Sequence, residues 1–511
     1  MYVHVSPYRG HKRVRLVKQE KVDGRLKTIF VKHIGTAAND EELEILKSIA
    51  EKERSKAIQA NQLSFDLGQI QSGSLSTLGF YQLGAELVLG EIFDSFSISI
   101  GRLTPLLRLL TIARIIHPSS KRNTAIWIEE TLGSSYSLDQ IYRFLDVIYK
   151  NRTKIETSLR THVATNYPEH LTYLIYDVTT LYFEIDHEDD ENNRNLRTRG
   201  YSKDHRFDMP QIVLGLCVNR AGMPLSHSIY PGKTYEGITL VDGVEKAKNY
   251  LSTSQETRSI KNYENCDLTV VCDAGMLSAK NIAELKRRDM NFIISARLKH
   301  LDQLLTTELL NHDFSKNPIK EMNYKGDRLI VTYSKKRAQA DRRRRANAIS
   351  RLEKLILQNK AVRKHQFLDF STKEKPKLDQ QAIELASRFD GLKGYITNNQ
   401  LLAPDEVISH YNQLPIVEQS FRMTKSDLKI RPSYHQRASR IESHVLLCMI
   451  SLCVMRILEQ KVKHCDLTIY GALDEINRTN SAVIGNGKKR YVIPPLYSDK
   501  FREILNAAKV R

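Results

Sequence analysis

Hydrophobic and polar positions alternate with a period of two over the first 35 residues, on either side of Val22-Asp23-Gly24. Asp-Gly supplies the positive φ angles of a tight turn, so the chain is predicted to open with a short β-hairpin. From Asn39 the apolar positions recur every three to four residues, as in EELEILKSIAEKERSKA, and the helical pattern resumes from Leu83 to about Val163. Within it, Thr104-Pro105 reads as an N-cap followed by proline at the first helical position, Gly133 as the residue just past a helix end, and Ser137 with Gln140 as a capping box. Helices are expected over Pro105–Ile116, Ser120–Leu132 and Ser137–Tyr149. Short helices joined by tight turns are the form of a helix-turn-helix DNA reader, and equally of any small bundle.

The pattern changes near Leu171. LTYLIYDVTTLYFEI is rich in β-branched and aromatic residues, QIVLGLCVN follows, and Ala221-Gly222 turns into MPLSHSIYPG, which makes three consecutive strands. A helical stretch (Ile238–Leu251), a strand (Leu268–Asp273), a helix opening at Ser278 and a strand (Asn291–Arg297) complete the order β-β-β-α-β-α-β. That is the order of an RNase H-like core, in which three antiparallel strands feed a parallel pair with helices on the faces. Between Arg297 and about Pro404 the rhythm is lost, until LKGYITNN reads as a strand. PDEVISHYNQLPIVEQSFRMTKSDLK reads as two helices meeting at Pro415, and one long helix after Arg437 closes the core. No internal repeat is visible, and the chain from Leu473 onward carries little pattern.

The expected fold class is therefore α/β: an RNase H-like catalytic core with an insertion between its second Asp and its Glu, preceded by a mainly helical N-terminal region with a short β-hairpin. The expected divisions are 1–60 (β-hairpin and helix), 61–165 (helical, candidate DNA-binding domain), 166–300 (first part of the core), 301–403 (basic insertion), 404–472 (remainder of the core with a Glu-bearing helix) and 473–511 (tail).

Composition narrows the function. A chain of 511 residues with 41% hydrophobic and 27% charged residues has material for about three folded domains and is not a disordered scaffold. Lys and Arg (78) exceed Asp and Glu (59) by a net +19, and such a surface binds polyanions, nucleic acid foremost. From Lys335 to Lys364 there are 12 Lys or Arg against Asp341 and Glu353, centred on Arg342, Arg343, Arg344 and Arg345; this is a solvated helix face or a phosphate contact. The six cysteines include no C-x-x-C pair, so neither a zinc site nor a disulfide framework is expected. MYVHVSPYRGHKR has no apolar leader character, and the longest apolar run, Val445 to Met455, is shorter than a membrane span, so the expected location is the cytoplasm, on DNA, with no membrane partner.

Three carboxylates stand out. Asp177 interrupts an apolar strand, where an unpaired charge is costly unless it binds a cation. Asp273 ends another strand, the place where α/β sheets hold ligands. Glu418 follows Pro415 among apolar neighbours, where it would also suit the helix dipole. In an RNase H-like core the first strand, the fourth strand and the final helix converge at one edge, so the three could share two divalent ions for in-line phosphoryl transfer. His444 on the long helix reads as a core residue rather than a ligand.

The residues resemble those of insertion-sequence transposases of the DDE superfamily, in the group whose third acidic region carries Tyr-x2-Arg-x3-Glu-x6-Lys. Here that region has Tyr411, Glu418 and Lys425 at the matching spacing, with Leu414 in the Arg position. YDVTTLYFE around Asp177, GYSKDHRFDMPQIVLGL, VCDAGMLS around Asp273, FDGLKGYITNN and the RIESHV helix are similar to the family's other regions, from about Leu171 to Val462. The resemblance implies that Asp177, Asp273 and Glu418 hold two Mg²⁺ (or Mn²⁺) ions and that Tyr411 and Lys425 contact DNA near the scissile phosphate. Arg422, one turn after Glu418, is expected to reach a phosphate in place of the missing Arg. Lys203, His205 and Arg206 lie in a polar loop that is either solvated or beside the same edge. The implied partners are double-stranded DNA, as the terminal inverted repeats of the element and its target, and a second copy of the chain in an end-pairing homodimer. The implied reaction is metal-dependent cleavage and strand transfer. An RNase H-like nuclease or resolvase, or a catalytically inactive transposase-derived DNA-binding protein, are the alternatives.

Overall fold

The computed structural model describes residues 2–8, 10–22, 25–51, 76–167, 173–191, 194–253, 268–276, 278–358, 364–369, 376–431, 434–485 and 490–508. They form two units, Met1–Gly79 with Ala482–Pro494, and Phe80–Ser481 with Pro495–Arg511. In the first, β1 (Tyr2–Tyr8), β2 (His11–Val22) and β3 (Arg25–Ala37) make an antiparallel sheet in that order. The predicted hairpin is its β2–β3 half, and the turn residues Asp23 and Gly24 lie outside the described residues. Val14 and Ala37 pack against Leu43 and Ala50 of a helix over 40–51, which gives this unit a small core of its own. β4 (Ser76–Tyr81) joins a second small sheet with Ser481–Gly485 and Arg490–Ile493.

The second unit begins with helices whose ends are written in the sequence. These include α1 (Thr104–Ile116), α2 (Lys121–Leu132), α3 (Leu138–Lys150) and α4 (Arg152–Asn166). The Ser120 hydroxyl accepts from the Asn123 N–H to cap α2, and Gly133 takes the left-handed conformation that ends it, with φ +65°. Ser137 and Gln140 form the predicted capping box, each side chain accepting the other's backbone N–H. Thr104 departs from expectation. It lies inside α1 rather than capping it, because a 3₁₀ turn at Gly101–Leu103 leads the chain in; its hydroxyl accepts from the Ile100 N–H (2.9 Å) and donates to Gly101 O (3.0 Å), closing that turn instead.

The predicted order of strands and helices follows: β5 (Tyr173–Tyr182), β6 (Gln211–Val218), β7 (Pro224–Pro231), α5 (Glu236–Thr253), β8 (Thr269–Cys272), α6 (Ala279–Arg287) and β9 (Asn291–Ala296). Strands β5, β6 and β7 are antiparallel neighbours, and β8 and β9 add in parallel on the other side of β5. The next hundred residues differ from the expectation of an arrhythmic insertion. They contribute β10 (Ile319–Tyr324), β11 (Asp327–Tyr333), the basic helix α7 (Lys335–Leu357), the short ladder of β12 (Leu368–Asp369) with β13 (Lys377–Leu378), and β14 (Leu392–Thr397). Three of these strands extend the same sheet, which runs β10-β11-β14-β9-β8-β5-β6-β7. β10 escaped notice because it is an edge strand with Met322 its one buried residue, so it has no alternating apolar signal.

The chain then forms α8 (Pro404–Tyr411), α9 (Pro415–Arg422) and α10 (Ala438–Val462). α10 is apolar on every side because it is covered on every side, packing on α1, α3 and β7. It is the one helix among the described residues long and apolar enough to cross a membrane, and 94% of its most apolar window is buried inside the protein, which makes it a core helix. Arg456 of α10 is itself buried. Its guanidinium donates to Ile416 O (3.1 Å) and Ser420 Oγ (2.7 Å), both on α9, and pairs with Glu459 at 2.8 Å. The Ser420 hydroxyl donates in turn to the carbonyl of Gly222, in the predicted turn between β6 and β7.

Gly222 has φ +77°, and a Cβ there would lie 2.8 Å from the Arg456 guanidinium and 2.9 Å from Ile416. Backbone strain and overpacking together predict that Gly222→Ala lowers stability by about 3 kcal/mol, read as a shift of the urea midpoint at unchanged slope.

Candidate active site

Parallel pairing sets the position of the two aspartates. Tyr173, Leu174 and Ile175 of β5 lie beside Thr269, Val270 and Val271 of β8, and the same offset of 96 residues brings Asp177 level with Asp273. Asp273 is the first residue past the end of β8, and its charge acts on Asp177, so the two carboxylates are near neighbours. β8 ends at Cys272, and a turn over Ala274–Met276 carries the chain away, leaving Asp273 exposed beyond the strand.

Asp177 is mostly covered. Burial pushes its carboxyl up to about 6; the Lys203 ammonium and the Val178 backbone N–H oppose that rise, while Glu236 and Asp273 add to it. The Lys203 ammonium donates to Val178 O at 2.6 Å and lies 3.0 Å from Glu236 and 3.9 Å from Asp177. Glu236, the first residue of α5, was not singled out from the sequence: a carboxylate in the first turn of a helix is an ordinary dipole partner, and nothing local marks it as different.

Asp273 is held from the other side. The Tyr411 hydroxyl, at the end of α8, donates to Asp273 Oδ1 at 3.2 Å. Burial raises the Tyr411 phenol, and the neighbouring Asp273 charge adds to the effect. The Tyr411 ring packs edge to face on Tyr395 of β14, with the Lys393 ammonium 4.3 Å from its centre. On the far side of the same turn, Arg297 donates to Ala274 O at 3.0 Å. Lys393 and Arg297 border a cleft of about 570 Å³ between α7, β9 and β14, to which Lys299, Arg337, Arg344 and Arg345 also contribute.

α9 packs against β5 and β6 through its buried residues Val417, Ser420 and Phe421, which turns Glu418 and Arg422, four residues apart, to the exposed face. Leu414, at the position where the resembled signature has Arg, is buried. Among the described residues no three acidic, histidine or cysteine side chains stand together as a formed metal cage. Asp177 and Asp273 are abreast, and Glu418 is on the adjoining helix without contact to either. The donor set fits a hard divalent cation nonetheless. It is all carboxylate oxygen, and the Asp177 carboxyl stays raised although Lys203 lies 3.9 Å away, because burial and the neighbouring Glu236 and Asp273 charges outweigh that one ammonium; a bound cation would offset them.

The other basic residues take varied positions. α9 continues into a wider π-type turn over Met423–Asp427 that carries Lys425. Lys425 lies 3.3 Å and Arg431 2.5 Å from Asp204, so the loop between β5 and β6 is tied to the segment after α9. In that loop His205 is exposed at φ +59°, and Arg206 pairs with Asp208 at 3.2 Å above the Tyr182 ring. On α7, Arg342, Arg343 and Arg344 are exposed, whereas Arg345 turns inward to a two-pronged pair with Asp390. Cys217, Cys272, Cys448 and Cys453 are free and buried, Cys465 is free and half-buried, and Cys266 lies outside the described residues.

A family model described as a transposase DDE domain matches residues 185–454. The match begins after Asp177 and takes in Asp273, Tyr411, Glu418 and Lys425. No curated protein matches the chain. Among solved structures, the chain is similar to the X-ray crystal structure of Marinitoga piezophila Argonaute in complex with 5′ OH guide RNA, at 10% identity over 80% of this chain and 68% of that one, with a TM-score of 0.20.

Asp204 is the shared anchor of two half-buried cations, so Asp204→Asn is expected to cost about 2 kcal/mol in urea unfolding and to speed amide exchange across residues 200–209.

Proposed function

The chain belongs to the transposase DDE-domain family, and we propose that it binds the terminal inverted repeats of its own element, cuts DNA there and joins the freed ends to target DNA. The observation that carries this reading is the placement of Asp177 and Asp273 side by side on parallel neighbours of one sheet, with the helix of Glu418 packed across the first of those strands. The order β9-β8-β5-β6-β7, two parallel strands followed by an antiparallel three, supports an RNase H-like core around them.

Asp177, Asp273 and Glu418 would hold the two Mg²⁺ or Mn²⁺ ions of this family. Bound there, the ions supply charge to activate an attacking oxygen and to stabilise the leaving one. The chain's own residues do the rest. Tyr411 fixes the Asp273 carboxylate through its hydroxyl, which keeps one oxygen turned toward the edge. Lys203 provides a positive charge against Asp177 while Glu236 holds that ammonium in place. Glu418 and Arg422, on the same exposed face of α9, bring a ligand and a phosphate contact together. Lys425, His205 and Arg206 flank the approach. Water is the first nucleophile and the freed 3′-hydroxyl the second, each in an in-line displacement at phosphorus without a covalent protein intermediate. Pairing two ends calls for two such chains, hence a homodimer on DNA. The cleft lined by Arg297, Lys299, Arg337 and Lys393 adjoins Asp273 and offers a path for the strand leaving the carboxylates.

The deciding experiment is a cleavage and strand-transfer assay with Mg²⁺ on DNA flanking the gene. Asp177→Asn, Asp273→Asn and Glu418→Gln are each expected to lose activity at least about 100-fold while binding the ends like wild type. Cleavage without joining would move the reading to a nuclease, and binding without cleavage to a DNA-binding protein. The exposed arginines make a separate prediction: replacing Arg342, Arg343 and Arg344 together with Ala should reduce the slope of log affinity against log salt by about 3, in proportion to the phosphate charges no longer neutralised.

A further inference from the structure

Away from the carboxylates, a group of cations is enclosed where α1 and α2 meet α10 and the segment after α9. Arg114 on α1 and Lys121, the first residue of α2, are each 5% exposed, and His444 of α10 is as deeply enclosed. His435 joins them, its ring 5.0 Å from that of His444. The His444 Nε2–H donates to Ile430 O at 3.3 Å, and Arg114 Nη1 makes one long hydrogen bond to Leu428 O, at 3.5 Å. Arg114 Nε has no partner among the described residues. The titratable groups acting on Lys121 are Arg114, which repels it, and Cys448, whose thiol burial keeps protonated and therefore uncharged.

Among the described residues, no carboxylate is a leading influence on any member of the group. Elsewhere in the same unit buried cations are paired: Arg197 with Asp189, Arg456 with Glu459, Arg345 with Asp390. Two enclosed cations side by side without a counter-charge are strongly disfavoured. Burial answers in part by pushing the Lys121 ammonium well below its usual range and His435 down to about 3. A neutral Lys121 still leaves the Arg114 guanidinium, which does not lose its proton in proteins, alone in an apolar setting.

We propose that Arg114 and Lys121 hold a small inorganic anion between the N-terminal helices and α10, with Lys121 Nζ and Arg114 Nε as its donors. Leu428, Ile430 and Cys448 around them are fully buried, which favours a monatomic halide over an oxyanion. Both backbone carbonyls that the group engages belong to Leu428–Ile430, directly before Arg431. The bound anion therefore fastens to the helical region the segment that carries the Asp204 contact.

The test uses the full chain, its Lys121→Met variant and chloride as the probe. Saturable ³⁵Cl line broadening is expected with the folded wild type, reduced at least about fivefold in Lys121→Met, together with a thermal midpoint about 3 °C higher in chloride than in gluconate at equal ionic strength for the wild type alone. Equal broadening by folded and denatured wild-type protein overturns the proposal without recourse to the variant, should Lys121→Met fail to fold. Unchanged broadening in a folded variant also overturns it, as does a wild-type midpoint indifferent to the anion, which would leave Lys121 a neutral amine. Displacement of chloride by equimolar phosphate would overturn the halide assignment and give the site to an oxyanion.

Discussion

On the proposed function, the chemistry of this chain depends on the register of one parallel strand pair. β5 and β8 are joined by no short turn; residues 183–268 separate them, and their alignment rests on the ladder between them and on the strands that flank it. A shift of one residue would take Asp273 out of level with Asp177 and dissolve the pair. The wide sheet resists such a shift from both sides. β6 and β7 hold β5, while β9, β14, β11 and β10 extend the sheet beyond β8, so the region of the sequence around the basic helix also serves as ballast for the strands that position Asp177 and Asp273.

Packed beside that sheet, α10 is the axle. It is wrapped by the N-terminal helices and by β7, and through Arg456 it reaches α9 and the Gly222 turn together. The Glu418 helix is therefore fixed at its backbone and free at its outer face. That division suits the role proposed for Glu418, a ligand that would close on a cation while its helix stays still.

Much of this was legible in the sequence because the relevant signals are local. Ser120, Gly133, Ser137 with Gln140, and the Ala221-Gly222 turn each announce themselves within four residues, and the apolar strands around Asp177 and Asp273 are continuous runs. The unread parts are those where the decisive partner is distant. Arg345 belongs to a basic run by sequence and to Asp390 in space. Glu236 has its ordinary place at a helix start, and only the loop carrying Lys203 gives it a second role. Lys121 sits at the first position of α2, where a lysine is usually solvated, and tertiary packing alone encloses it. Thr104 failed on a local signal, since a 3₁₀ turn before the helix took the hydroxyl for itself.

The tie between Asp204, Lys425 and Arg431 has a consequence for how a polyanion is received. These two cations are already occupied by a carboxylate of the chain itself, which on the proposed function stands where an incoming phosphate group would go. Docking there is then a substitution, one anion for another, with little net change in local charge. The displaced Asp204 would carry its loop with it, so arrival of the backbone at one point is transmitted as slack in the loop that bears Lys203. On that reading Asp204 is a placeholder for the phosphate and also the latch of its own loop.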